Sequence, residues 1–252
     1  MITIFKKTFF EKQIVLFQHI PKTAGSTVYH MLKNSPSQLQ VYRFDWFDQC
    51  SNFIKKNGGL KGVDILCCHI SEKELSYIKS EVGIKKFVFW RDPIKRVISN
   101  YLFWRAKNEG DQIEDAFGKK IKFLDHSLNW EEDLVRIMKE SNKIWKYKEL
   151  SNIASWQLGH SIYERESLSE KEVLKNAKNS ISKSFFVGRQ EMLDHDLKTL
   201  FSMQKWGVCD SIKVRINETN SEFFSPSSNL ISEIEKYNYL DLELDCWIRG
   251  RL

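Results

Sequence analysis

Short apolar runs rich in β-branched and aromatic residues recur along the chain, and each leads through a turn into residues at helical spacing. Residues 14–19 (IVLFQH), 64–70 (DILCCHI) and 86–90 (KFVFW) are predicted strands. The segments STVYHMLKN, EKELSYIKS and IKRVISNYLFWR that follow them are predicted helices. Strand-then-helix units in succession argue for an α/β fold: a central parallel sheet with helices on both faces, in three α/β/α layers. Two further strands are expected at 184–188 (SFFVG) and 212–216 (IKVRI), with a helix over 190–203 between them.

The stretch 106–183 reads differently. It is polar and helix-favouring, lacks convincing strands, and carries turn signals near Asn108 to Gly110 and at Leu158-Gly159, so a largely helical insertion is expected there. From Ser228 onward the pattern is helical, with a break near Asn238. No internal repeat, low-complexity tract or long Pro/Gly linker interrupts the chain. A single domain over 1–252 is the expectation, which suits a length of 252 residues.

Composition narrows the class. Hydrophobic residues make up 42%, with 17 Phe and 8 Trp, enough for a large core. The 39 Lys and Arg against 33 Asp and Glu give a charge of +6, an excess that favours anionic ligands. It does not imply nucleic acid, because the lysines fall in scattered pairs such as Lys55-Lys56 and Lys85-Lys86, which read as solvated surface. Five cysteines with no CxxC pair argue against a disulfide framework and against zinc, and Cys67-Cys68 read as buried thiols. Lys6, Lys7, Glu11 and Lys12 interrupt the N-terminal apolar positions, so neither an anchor nor a cleaved signal is expected, and the protein is expected to be cytoplasmic.

The chemistry concentrates at two strand ends. The segment from Phe17 to Thr27 (FQHIPKTAGST) joins a strand to a helix, where backbone N–H groups and the helix dipole receive anions. Gly25 allows close approach of the main chain, Ser26 and Thr27 add hydroxyl donors, and Lys22 adds a mobile positive charge. The lysine precedes the glycine, so this is not the GxxxxGK[ST] loop of ordinary kinases and GTPases. A plain strand-to-helix turn with a serine cap is the bland alternative. At the second strand end, Arg91-Asp92-Pro93 opens a helix. Pro93 suits its first turn, Asp92 can cap it, and Ser99 falls about two turns later on a face that can point back toward Arg91. Arg91 offers a planar fork of donors for phosphate, or alternatively pairs with a carboxylate; Arg96, by its spacing, reads as surface.

HIPKTAGST resembles the 5′-phosphosulfate loop of the carbohydrate O-sulfotransferases, the group that contains the heparan sulfate 2-O- and 6-O-enzymes, in a form like the bacterial family 2 type. FVFWRDPIKRVISNY resembles the 3′-phosphate segment of the same family. The resemblance implies a sulfotransferase with a P-loop-like fold that uses 3′-phosphoadenosine 5′-phosphosulfate, needs no metal, and places a sulfuryl group on a hydroxyl of a carbohydrate acceptor. It assigns the 5′-phosphosulfate to Lys22, Thr23, Ala24, Gly25, Ser26 and Thr27, and the 3′-phosphate to Arg91 and Ser99. Weaker likenesses at Phe186 to Asp194 and at Val214 to Thr219 add Asn217 and Thr219 as nucleotide contacts.

Sulfuryl transfer also needs a proton acceptor, and a neutral imidazole suits that task. Among six histidines, His69 ends a predicted strand at the sheet edge where α/β ligands gather, and it is the expected base beside the catalytic Lys22. A hydrogen-bonded histidine closing a core strand is the alternative. His19 is expected to support loop shape, and Gln157 is either a contact or a helix-end residue. A nucleotide kinase or ATPase and a non-catalytic nucleotide- or glycan-binding relative remain the competing functions.

Overall fold

The computed structural model describes residues 13–79, 83–106, 112–114, 120–122, 124–140, 145–162, 164–207 and 225–251. Among them five parallel strands form one sheet: β1 (Ile14–Gln18), β2 (Val41–Phe44), β3 (Ile65–Cys68), β4 (Ile84–Trp90) and β7 (Phe186–Arg189), in the order β2-β3-β1-β4-β7. A separate antiparallel ribbon pairs β5 (Gln112–Glu114) with β6 (Lys120–Lys122). All five positions of β1 are buried, as a strand flanked by two neighbours and covered on both faces requires. The register Gln18↔Cys68 aligns the ends of β1 and β3, and Phe17↔Phe87 aligns β1 with β4.

One face of the sheet is covered by α1 (Gly25–Lys33) and α8 (Leu193–Gln204), whose Val28, Met31, Leu32, Leu197 and Leu200 pack on Phe17, Cys67, Phe87 and Phe89. The opposite face carries α2 (Phe47–Asn57) and α3 (Glu72–Lys79) over β1 and β3. Beside them α6 (Ile153–Gly159), α7 (Glu170–Ser182) and α10 (Tyr239–Arg249) lie over Val88 and Trp90 of β4. These are the three layers. A satellite cluster joins α4 (Pro93–Ala106), α5 (Trp130–Lys139) and α9 (Ser228–Tyr237) around Tyr101, Leu134, Ile137 and Ile234.

Three helices start where the residue before them provides an acceptor. Asn129 caps α5, Ser227 caps α9, and Ser169 with Glu172 forms a capping box on α7. Gly159 ends α6 against the backbone of α7: a Cβ there would lie 2.2 Å from the Val173 carbonyl oxygen, so only glycine permits this approach.

Among the described residues of 106–183 helices predominate, and α6 and α7 within it build part of a sheet layer. The β5–β6 ribbon and β2 were not anticipated, because runs of three and four residues are too short to establish a period. The strand expected at 212–216 lies outside the described residues. Two surface assignments are corrected. Arg96 is 1% exposed: it donates to the Glu149 carbonyl at 3.0 Å and to Asn238 Oδ1 at 3.4 Å, and faces Asp241 at 3.8 Å. Lys86 is also buried, bonded to Glu72, Gln18 and Ser180. In both cases a long side chain reaches a carboxylate on another element, Glu72 of α3 or Asp241 of α10, which spacing alone does not reveal. No helix of the described residues is long and apolar enough to cross a membrane.

Candidate active site

The connection leaving β1 runs toward the β2 edge and the one leaving β4 toward the β7 edge, so the chain diverges between these neighbours at their carboxyl ends. Such a switch point opens a crevice. Lys22 follows β1 and Arg91 follows β4, and the two segments meet directly: Arg91 Nη1 donates to the Lys22 carbonyl oxygen at 3.1 Å.

The loop after β1 is held in a demanding shape. Lys22 and Ala24 both have left-handed backbones, with φ of 67° and 68°, which costs a residue with a side chain about 1 kcal/mol or more each. Thr23, almost fully buried between them, donates its hydroxyl to the Ile20 carbonyl at 2.9 Å and so braces the turn. No side chain caps α1 and its first turn holds no acidic residue, so its positive end is left for an anion. Ser26 is half-buried and Thr27 buried in that first turn. The Lys22 ammonium lies 4.0 Å from the ring centre of Phe103 on α4.

Gly25 has a reason beyond ligand approach. A Cβ on it would sit 1.8 Å from His19 Nε2, so the imidazole of His19 occupies the space that the missing side chain leaves. That ring also lies against the His69 ring, with centroids 4.0 Å apart and planes tilted by 34°. His19 thus supports the loop, as expected from its position.

Arg91 is half-buried, and its Nε is enclosed without a hydrogen-bond partner. Burial lowers its pKa, against the opposing pull of Glu191 and Asp92. An enclosed N–H of this kind costs about 1–3 kcal/mol unless an acceptor reaches it, and a phosphate oxygen is such an acceptor. Asp92 caps α4 by accepting from the Lys95 N–H at 2.9 Å, and its own N–H donates to Glu191. Ser99 is 3% exposed on α4, and its hydroxyl bonds neither to Arg91 nor to any other described residue. Asn217 and Thr219 lie outside the described residues.

His69 is the first residue past β3, beside His19 at the corresponding point past β1. Its Nδ1 lies 2.9 Å from the His19 carbonyl oxygen. A carbonyl only accepts, so Nδ1 carries the hydrogen and Nε2 keeps its lone pair. Burial lowers the His69 pKa to about 4, with the Asp45 carboxylate pulling it back up and Arg43 pushing it further down. His19 is likewise held well below the usual range, by burial first and then by the neighbouring His69 and cations. Both rings are therefore neutral near pH 7.

Gln157 is 2% exposed, and its Nε2 donates to the carbonyls of His19 at 2.9 Å and Ile70 at 3.2 Å. Its helix is fixed in turn: Asp241 accepts from the N–H groups of Ala154 and Ser155, while Asn152 Oδ1 accepts from those of Leu240 and Asp241. A polar residue buried in such an apolar setting must be bonded. Among the described residues no group of three His, Cys, Asp or Glu could hold a metal ion.

Compared with known proteins, the chain matches the family model described as "Sulfotransferase family" over residues 7–244. Among solved structures it is similar to that of a sulfotransferase from Alicyclobacillus acidocaldarius, with 11% identity and a TM-score of 0.47 over 89% of this chain and 90% of that one. Among curated proteins there is no match.

Proposed function

Because the chain belongs to the sulfotransferase family, we propose that it takes the sulfuryl group of 3′-phosphoadenosine 5′-phosphosulfate and places it on a hydroxyl of a carbohydrate acceptor. The observation that carries this reading is the hydrogen bond between Arg91 and the Lys22 carbonyl, which joins the two phosphate-type segments at one switch point. The bound donor supplies an activated sulfuryl group on a good leaving phosphate. The positive end of α1, with Ser26 and Thr27, would hold the 5′ end, and Arg91 with Ser99 the 3′-phosphate. Lys22 would offset the negative charge that grows on the leaving oxygen. His69 Nε2, already unprotonated, would accept the proton of the acceptor hydroxyl. No metal ion is assigned a task in this scheme. Asn217 and Thr219 complete the proposed nucleotide contacts. The carbohydrate rests on the resemblance of the two loops, and the positive net charge would suit an acceptor that already carries anionic groups.

Thermal denaturation with candidate ligands tests the donor site. Adenosine 3′,5′-bisphosphate at 100 times its Kd should stabilise the fold by about 2.7 kcal/mol. A larger effect from ATP with magnesium would replace this reading by a kinase or ATPase. Transfer of labelled sulfate to a glycan panel tests turnover, and binding without transfer on any hydroxyl compound would point to a non-catalytic relative. Lys22→Ala should lower kcat by about 10²- to 10³-fold with an unchanged circular dichroism spectrum; full activity in the folded variant would remove Lys22 from the chemistry.

A further inference from the structure

Gln157 donates to two main-chain carbonyls, that of His19 and that of Ile70, the residue after His69. The His19 oxygen is also the acceptor for His69 Nδ1, so one carbonyl receives a side-chain donor from the ring and another from the amide. The Ile70 oxygen receives a second amide, Gln18 Nε2, at 3.0 Å. The His19 N–H is committed as well, to the Cys68 carbonyl at 2.9 Å. The His19 and Ile70 carbonyls therefore cannot turn without breaking bonds to α6 or β1. A residue needed only to fill this interface would be apolar, because a buried amide is tolerated only when bonded.

We propose that Gln157 is a positioning residue for His69: by holding the His19 carbonyl, its amide keeps the imidazole in the Nδ1–H tautomer, with Nε2 as the proton acceptor. This rests on the reading of His69 as the base. In the step it serves, the acceptor oxygen bonds to sulfur as the bond from sulfur to the leaving phosphate oxygen breaks. The electron pair of that bond leaves with the bisphosphate, and the hydroxyl proton moves to Nε2. The resulting imidazolium keeps its Nδ1–H on the same carbonyl, so the ring need not turn between cycles.

The tautomer is directly observable by long-range ¹H–¹⁵N correlation spectra of histidine-labelled protein, with Gln157→Leu and Gln157→Glu compared against wild type and His69→Ala. Wild type is expected to show an unprotonated Nε2. Gln157→Leu is expected to move that resonance toward a tautomer average and to lower kcat about 10- to 100-fold. The affinity for adenosine 3′,5′-bisphosphate should stay within about twofold, since the phosphate contacts are untouched. A wild-type ring protonated at Nε2 overturns the proposal without reference to any variant. An unaltered tautomer and kcat in both Gln157 variants, beside an inactive His69→Ala, overturns the positioning role and leaves His69 as base. An active His69→Ala overturns the base and the positioning role together.

Discussion

Individual residues in the crevice are set by what surrounds them, and several consequences can be measured. Gly25→Ala would drive a methyl group into the His19 ring, which touches His69 in turn. The expected cost is about 1–3 kcal/mol of stability, seen as a lower denaturation midpoint, together with loss of the stabilisation by adenosine 3′,5′-bisphosphate. The His69 pKa, lowered to about 4 by burial, gives a second test. Between that value and the ~6.5 of an unfolded histidine, the unfolded chain binds more protons than the folded one. Stability from this group is therefore complete above about pH 6.5 and is lost as the pH falls toward 4. A His69→Gln variant should lose less melting temperature than wild type between pH 7 and pH 4.5; an equal loss would mean that the imidazole is not buried as described. The places of Lys22, Gly25, Arg91 and His69 beside strand-to-helix junctions could be read from the sequence. Gln157 was named there as a contact or a helix-end residue, but its bonds could not be read, because they reach two carbonyls 138 and 87 positions away in the chain.

At the level of elements, α6 and α10 fasten each other by their starts. Asn152 before α6 receives the first N–H groups of α10, and Asp241 in α10 receives those of α6. Asp241 also faces the buried Arg96 of α4. Removing its carboxylate leaves a buried cation and two open donors, so Asp241→Ala should cost about 3–5 kcal/mol in equilibrium urea unfolding. Asp241→Asn keeps an oxygen acceptor and should cost less; equal losses would show that the charge facing Arg96, and not the bonds to the α6 N–H groups, carries the effect. The strands β1, β3, β4 and β7 could be read from apolar runs, as could the break at Asn238, where α9 gives way to α10. The reciprocal caps could not. An Asn or Asp near a helix start looks the same whether it caps its own helix or a distant one.

Across the whole molecule, the three-layer arrangement followed from repeated strand-helix units, but the strand order did not. Nothing in the local pattern states that β1 lies between β3 and β4, and that single fact brings Lys22, Arg91 and His69 to one edge. Burial of Arg96 and Lys86 belongs to the same scale, since their partners come from other layers. The mutual fastening of α6 and α10 also has a consequence in time. During synthesis, α6 has no Asp241 carboxylate at its start until residue 241 has been made. A chain stalled before that residue would present the Ala154 and Ser155 N–H groups without their acceptor, and α6 would dock on the sheet with its start unsatisfied.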